Sequence, residues 1–168
     1  MHGTVFSFSP DLDNKKSKKI YKEAIERIKK RHRENIGESE AELESISKGL
    51  DGDPDELFVY EISGALDCIS DYAEKGYKII FASSSKIETI RKILSFLIEK
   101  KGANLDINSF CVHSILGDKR EPESWEEILR QHSNISDVYD DDPEYLKATL
   151  NASKSFGNNP KLHTSVRD

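Results

Sequence analysis

A continuous apolar run, bounded by a glycine and three serines, occupies residues 76–85 with the sequence GYKIIFASSS. Apolar runs of this length are typical of strands that are buried on both faces, as in a parallel sheet. Gly76 ends the helical pattern before the run, and the serines follow the point at which the strand would end. The segment therefore predicts an inner parallel strand over 78–82, with polar groups at its carboxyl end.

Helical and strand-like segments alternate from this run to the end of the chain. Apolar residues at helical spacing and runs of β-forming residues predict these elements. The predicted helices cover 62–72, 87–97, 125–129 and 145–152, and the predicted strands cover 110–116, 137–139 and 162–166. Such alternation is typical of a central parallel sheet with helices on both faces, so we predict a three-layer, Rossmann-like α/β fold.

The first 55 residues depart from this alternation. Residues 4–9 alternate and are rich in β-formers, which predicts a first strand that ends at Pro10. Two helical patterns follow, one from about residue 16 to Ile36 and one from Ser39 to Leu50. We therefore expect two helices to be inserted between the first strand and the rest of the sheet.

Length and composition limit the class of protein. The chain has 168 residues, of which 33% are charged, and this suits one highly soluble domain. No apolar stretch approaches the roughly 18 residues of a membrane span, and no signal peptide is recognisable, so we expect no membrane partner. The two cysteines, Cys68 and Cys111, lie in apolar patterns. We therefore expect no disulfide-linked partner and a reducing, cytoplasmic location.

The net charge of -6 conceals two segments of opposite sign. Residues 15–33 contain ten Lys and Arg residues but only Glu23 and Glu26, whereas residues 34–57 contain nine acidic residues and only Lys48. One interpretation is a pair of solvated helices whose charges attract each other, which is the usual role of charge runs. The other is a basic helix that attracts a polyanion such as a nucleic-acid end. We favour the first.

Polar residues follow each predicted strand of the sheet. They are Asp11-Leu12-Asp13-Asn14, Ser83-Ser84-Ser85, Gly117-Asp118-Lys119 and Asp140-Asp141-Asp142. Ligands of open parallel sheets bind at the carboxyl ends of the strands. Carboxylates suit Mg²⁺, hydroxyl and ammonium groups can hold phosphate oxygens, and a carboxylate can act as a nucleophile. The pattern therefore predicts a site for a metal-bound phosphate.

The order of these segments resembles the four motifs of the haloacid dehalogenase (HAD) superfamily. Residues 76–83 resemble the strand that ends in the family's phosphate-binding Ser or Thr, and residues 119–122, KREP, resemble the motif with the charge-balancing lysine. Residues 138–143, VYDDDP, resemble the acidic motif that holds Mg²⁺. Residues 11–14 supply the Asp-x-Asp pair of the first motif. The resemblance covers most of the chain from residue 56 to 166, together with the first strand.

The resemblance implies a Mg²⁺-dependent phosphatase that acts through an aspartyl-phosphate. In this mechanism Asp11 would attack phosphorus, and Asp13 would protonate the leaving oxygen and then activate water. The remaining implied roles are substrate binding by Ser83, Ser84 and Lys119, with Lys119 also counted among the catalytic groups, and metal binding by Asp11, Asp13, Asp140 and Asp141. The resemblance also implies a HAD-like core of residues 1–15 and 56–168, with a small helical cap of residues 16–55. The substrate would be a phosphorylated small molecule or a nucleic-acid end.

The first motif has a second register. Lys15 stands where the family usually has Thr, and Pro10 removes a strand hydrogen bond just before the expected nucleophile. Placing Ser7-Phe8-Ser9 on the motif gives the strand from Met1 its usual length but removes both catalytic carboxylates. The protein would then be a non-catalytic, HAD-like binding or regulatory protein. We favour the Asp11 register, because Ser83, Lys119 and the acidic cluster would have little use without chemistry.

Each of these groups also has a simpler interpretation. Asp11 and Asp13 could be turn residues, the serines from Ser83 could cap the next helix, and Asp142 before Pro143 could cap another. Each simple interpretation is preferable when taken alone, but the joint placement after successive strands favours a site.

Overall fold

The computed structural model describes residues 1–11 and 13–165, which form six α-helices and six short strands. The helices are α1 (Asn14–Arg31), α2 (Glu38–Leu50), α3 (Ala65–Glu74), α4 (Ile87–Lys101), α5 (Glu123–Gln131) and α6 (Pro143–Ser155). The strands are β1 (Phe6–Ser7), β2 (Tyr60–Glu61), β3 (Ile80–Ser83), β4 (Cys111–Ser114), β5 (Asp137–Tyr139) and β6 (Lys161–His163). None of these helices is both long and apolar enough to cross a bilayer.

The strands form three two-stranded sheets. β3 pairs in parallel with β4, with Ile80 opposite Cys111, and β5 pairs in parallel with β6, with Asp137 opposite Lys161. β1 pairs antiparallel with β2, a strand that the sequence pattern did not predict. The α/β class and its parallel strands are therefore confirmed, but the first predicted strand lies outside the parallel pairs of the described chain.

The two parallel pairs run in the same direction. Tyr77, Asp137 and Lys161, which lie at the amino ends of β3, β5 and β6, line one pocket. At the other end, Lys119 in the loop after β4 forms an ion pair with Asp140, which directly follows β5. The carboxyl ends of β4 and β5 therefore meet at one edge, as the sequence analysis expected.

Local capping explains several helix boundaries. The Asp13 side chain accepts a hydrogen bond from the Lys15 amide at 2.9 Å and so caps α1. The Asp142 side chain caps α6 in the same way through the Glu144 amide at 2.9 Å, with Pro143 at the first helical position. The predicted capping role of Asp142 is therefore confirmed.

The apolar residues form two clusters. The larger combines residues of α1, α2 and α4 with strand residues such as Phe81. Its members Ile28, Ile46 and Leu94 are fully buried. The smaller lies beneath α5 and α6, and its buried members are Ile115, Trp125, Ile128, Leu129, Ala148 and Ala152. Since burying an aliphatic side chain contributes about 1.5–3 kcal/mol, the first cluster dominates stability. The two helices after β1 thus share the main core, and their role as a cap stays a prediction.

Ion pairs join the basic and acidic segments. Arg31 Nη2 lies 3.0 Å from Glu56 Oε1, and the Arg27 guanidinium lies 3.8 Å from the same oxygen. His32 Nε2 lies 2.8 Å from Glu44 Oε2 on α2. The Glu56 side chain is fully buried, so losing these partners would leave a buried carboxylate with fewer contacts. The contacts agree with the interpretation of two helices whose charges attract each other.

Candidate functional site

A buried ion pair marks the carboxyl ends of the strands. Lys119 Nζ lies 3.0 Å from Asp140 Oδ2, and both residues are more than 90% buried. The same ammonium lies 4.1 Å from the centre of the Tyr145 ring. Trp125 Nε1 donates a hydrogen bond to the Lys119 carbonyl at 2.8 Å, which fixes the loop that carries the lysine. A desolvated, immobilised cation of this kind is suited to binding an anion.

Asp141 lies against the start of the chain. Thr4 Oγ1 donates to Asp141 Oδ1 at 3.4 Å and accepts from the Asp141 amide at 3.3 Å. Gly3 lies beside the same carboxylate and has a φ of 87°. A Cβ atom at Gly3 would overlap the Asp141 carboxylate, so only glycine fits there. Residues 3 and 4 are therefore part of the site, although the sequence analysis did not predict them.

The serines after β3 meet an acidic residue of α2. Ser83 Oγ accepts from the Ser85 amide at 3.2 Å, and Ser84 is exposed. Ser85 Oγ donates to Glu42 Oε1 at 2.9 Å. Burial raises the pKa of Glu42 above its ordinary value, although the hydrogen bond from Ser85 opposes this shift. Glu42 thus brings a carboxyl group with a raised pKa to the end of β3, and no motif in the sequence indicated it.

The two aspartates of the predicted first motif are engaged elsewhere. Asp11 is exposed and pairs with Lys16, and Asp13 caps α1. Over residues 1–11 and 13–165, no group of three or more His, Cys, Asp or Glu side chains is arranged to hold a metal ion. The structure therefore joins Lys119 with Asp140 but does not gather Asp11 and Asp13 with Asp140 and Asp141 into one metal site. Their catalytic and metal-binding roles stay predictions.

The serines of the alternative register contact each other and α1. Ser7 and Ser9 are buried, Ser7 Oγ donates to Ser17 Oγ at 3.1 Å, and the Ser9 amide donates to Ser7 Oγ at 3.2 Å. These contacts join β1 to α1. It is Thr4 that contacts Asp141.

Two neighbouring carboxylates remain as candidate metal ligands. Mg²⁺ is commonly held by one or two protein carboxylates together with phosphate oxygens and water. Asp140 and Asp141 at the end of β5 meet this minimum, although Asp140 already accepts from Lys119. The donor set therefore fits a Mg²⁺ ion only when a phosphate supplies further oxygens.

A cavity of about 440 Å³ extends from this edge between β3 and β5. Its walls include residues 79–82, residues 137–139, Ile69 of α3 and Ile128 of α5. The Tyr72 and Tyr139 hydroxyls lie 2.9 Å apart at its side, and Cys68 is a free thiol on the same wall. A cavity of this size lies in the range of ligand-binding pockets.

No family model, curated protein or solved structure matches this chain.

Proposed function

We propose that this chain binds a phosphate monoester at the carboxyl ends of β3, β4 and β5, and that its described residues do so without hydrolysing the ester. The buried Lys119 ammonium carries the proposal, because it is fixed at the edge where ligands of parallel sheets bind. Ser83 and Ser84 would supply hydroxyl groups to the phosphate oxygens.

Electrostatics favour a metal ion in the bound state. A phosphate dianion beside Lys119 would also lie near Asp140 and Asp141, and these carboxylates would repel it. Mg²⁺ held by Asp140 and Asp141 would neutralise part of this negative charge and supply coordination to the phosphate oxygens. Lys119 would then share its ammonium between Asp140 and the phosphate, as charge-assisted hydrogen bonds allow.

The contacts of Asp11 are the reason to propose binding rather than turnover. A phosphatase of the HAD type needs a carboxylate nucleophile beside its lysine and metal. Asp11 instead pairs with Lys16 at the surface, and Asp13 is used in the cap of α1. Hydrolysis through Asp11 therefore stays an alternative that requires a rearrangement of residues 10–15.

The test is a calorimetric titration with phenyl phosphate, with and without Mg²⁺. Lys119→Met should weaken binding about tenfold or more, since one charge-assisted contact to phosphate is lost. Lys147→Met on the exposed face of α6 is the matched control and should leave affinity unchanged. Lys119→Met leaves Asp140 uncompensated, so the double variant Lys119→Met/Asp140→Asn is measured beside it to separate lost binding from lost folding.

Two results would contradict the proposal. Equal phenyl phosphate affinity in the wild type and in a folded Lys119→Met variant would remove the phosphate site. Steady hydrolysis of p-nitrophenyl phosphate that is abolished by Asp11→Asn would replace binding by catalysis and restore the predicted mechanism.

A further inference from the structure

The main-chain groups of β3 point in two directions. The amide of Cys111 donates to the carbonyl of Ile79 at 3.0 Å, and that of Ile115 donates to the carbonyl of Ser83 at 2.7 Å. In a parallel pair, alternate residues direct both N–H and C=O toward the same neighbour. Residues 79, 81 and 83 therefore face β4, and Ile80 and Ala82 direct their main-chain groups to the opposite edge.

The same argument applies to β5. The Lys161 amide donates to the Ser136 carbonyl at 2.8 Å, and the Asp140 amide donates to the His163 carbonyl at 3.2 Å. Residues 136, 138 and 140 therefore face β6. Asp137 and Tyr139 direct their amides and carbonyls to the other edge. In the part of the chain that the structure describes, no backbone hydrogen bond reaches these groups across that edge.

Both open edges border the same cavity. Its lining includes residues 79–82 of β3, 137–139 of β5 and, at the start of the chain, Met1, Thr4 and Val5, but no residue of β4 or β6. The two pairs also run in the same direction, so the open edges are parallel to each other. Ile79, Ile80 and Val138 are only half-buried, although inner strands of a parallel sheet normally bury such residues fully. We call this space, bounded by β3 and β5, the strand slot.

The charged residues of the strand slot lie at its ends. Lys78 and Asp137 border the amino end, and Asp140 borders the carboxyl end beside Lys119. Between them the walls are mainly apolar, with Ile69, Phe81 and Ile128 among them. An occupant must therefore be uncharged and apolar in its middle. It must also supply alternating donors and acceptors along two sides, and an extended peptide meets both requirements.

We propose that the strand slot binds an extended, apolar strand of a partner polypeptide, parallel to β3 and β5. The strand would continue both existing ladders and join β4-β3 and β5-β6 into one five-stranded parallel sheet. Exposed strand edges are known templates for such pairing, because the inserted main chain satisfies every open donor and acceptor. Residues 1–4 fill the space beside Asp141, so the carboxyl end of the strand would stop at the buried Met1, near the proposed phosphate site.

The experiment is amide-resolved hydrogen exchange by NMR on the intact chain. The probe is a synthetic peptide of about seven residues, acetylated and amidated, with alternating valine and isoleucine and a lysine at each end. The amides of Ile80, Ala82, Asp137 and Tyr139 should exchange about tenfold more slowly or better when the peptide is added. The amides of Phe81 and Val138 serve as internal controls, because they already face β4 and β6.

A second peptide with proline at the central positions separates strand pairing from apolar binding. It keeps apolar character but lacks the amides that pairing requires, so it should give no protection. The proposal is overturned if the first peptide gives no protection, or if both peptides protect equally. Protection without any peptide, together with a concentration-dependent dimer, would assign the strand slot to a second copy of this chain and would also overturn it. Phenyl phosphate affinity is measured separately, so either proposal can fail without the other.

Discussion

At the scale of single residues, the site combines groups that the sequence indicates with groups that it conceals. That Lys119 and Asp140 lie close together could be predicted, because each follows a predicted strand. Thr4 could not, because its contact with Asp141 spans 137 positions and leaves no local pattern. Glu42 was missed for the same reason, since its position on an amphipathic helix gives no sign that it meets Ser85.

Gly3 gives a residue-scale prediction with a matched control. Gly3→Ala adds a methyl group that would overlap the Asp141 carboxylate and also strains a backbone with positive φ. Gly52→Ala meets the same kind of backbone strain, but no atom lies within 4 Å of its Cβ. We expect Gly52→Ala to cost about 1 kcal/mol of unfolding free energy and Gly3→Ala clearly more, measured by urea denaturation. Equal losses would mean that Gly3 does not contact Asp141 in solution.

At the scale of elements, the helices were predicted better than the strands. The helical spacing from Ile87 to Leu97 lies within α4, and the predicted strand 137–139 is β5. The first strand was predicted over 4–9 but covers only Phe6–Ser7, because the Thr4, Val5 and Phe6 amides all donate to the Met1 carbonyl. This turn depends on main-chain contacts, which the alternation of side chains cannot reveal. The predicted end of the last strand at Val166 lies outside the described residues.

The pairing of α1 with α2 can be tested by charge reversal. Arg31→Glu places a carboxylate beside the buried Glu56, and we expect a loss of about 2 kcal/mol and faster proteolysis between residues 15 and 54. Lys30→Glu, on the exposed side of α1, should change stability by less than about 0.5 kcal/mol. A different result would show that α1 binds a polyanion instead. In that case both variants would be as stable as the wild type but would lose the salt-sensitive binding of a phosphorylated oligonucleotide.

At the scale of the whole molecule, two apolar clusters of unequal size pack against β3. The larger apolar cluster surrounds α4, whereas the smaller one holds α5 and α6 against Ile80 and Ala82 of β3. Smaller cores bury less apolar surface, so the free energy needed to open them is lower. We expect the amides of α5 and α6 to exchange through a partial opening at low urea concentration, well before those of α4. Ile128→Ala should lower only the free energy of this partial opening. Leu94→Ala should lower the free energy of global unfolding. A single opening free energy for all helices would contradict this division.

Alkylation of the free Cys68 thiol can report whether the strand slot is occupied. Cys68 lines the cavity, and burial raises its pKa, so little thiolate forms at neutral pH and alkylation is slow. An inserted strand would shield the sulfur further, whereas the thiol of Cys111 lies on β4, outside the cavity lining. The ratio of the two alkylation rates therefore measures occupancy of the slot in the unmodified chain, without a label or a substitution. The same ratio could be followed in a cell extract, where it would register a partner before that partner had been isolated.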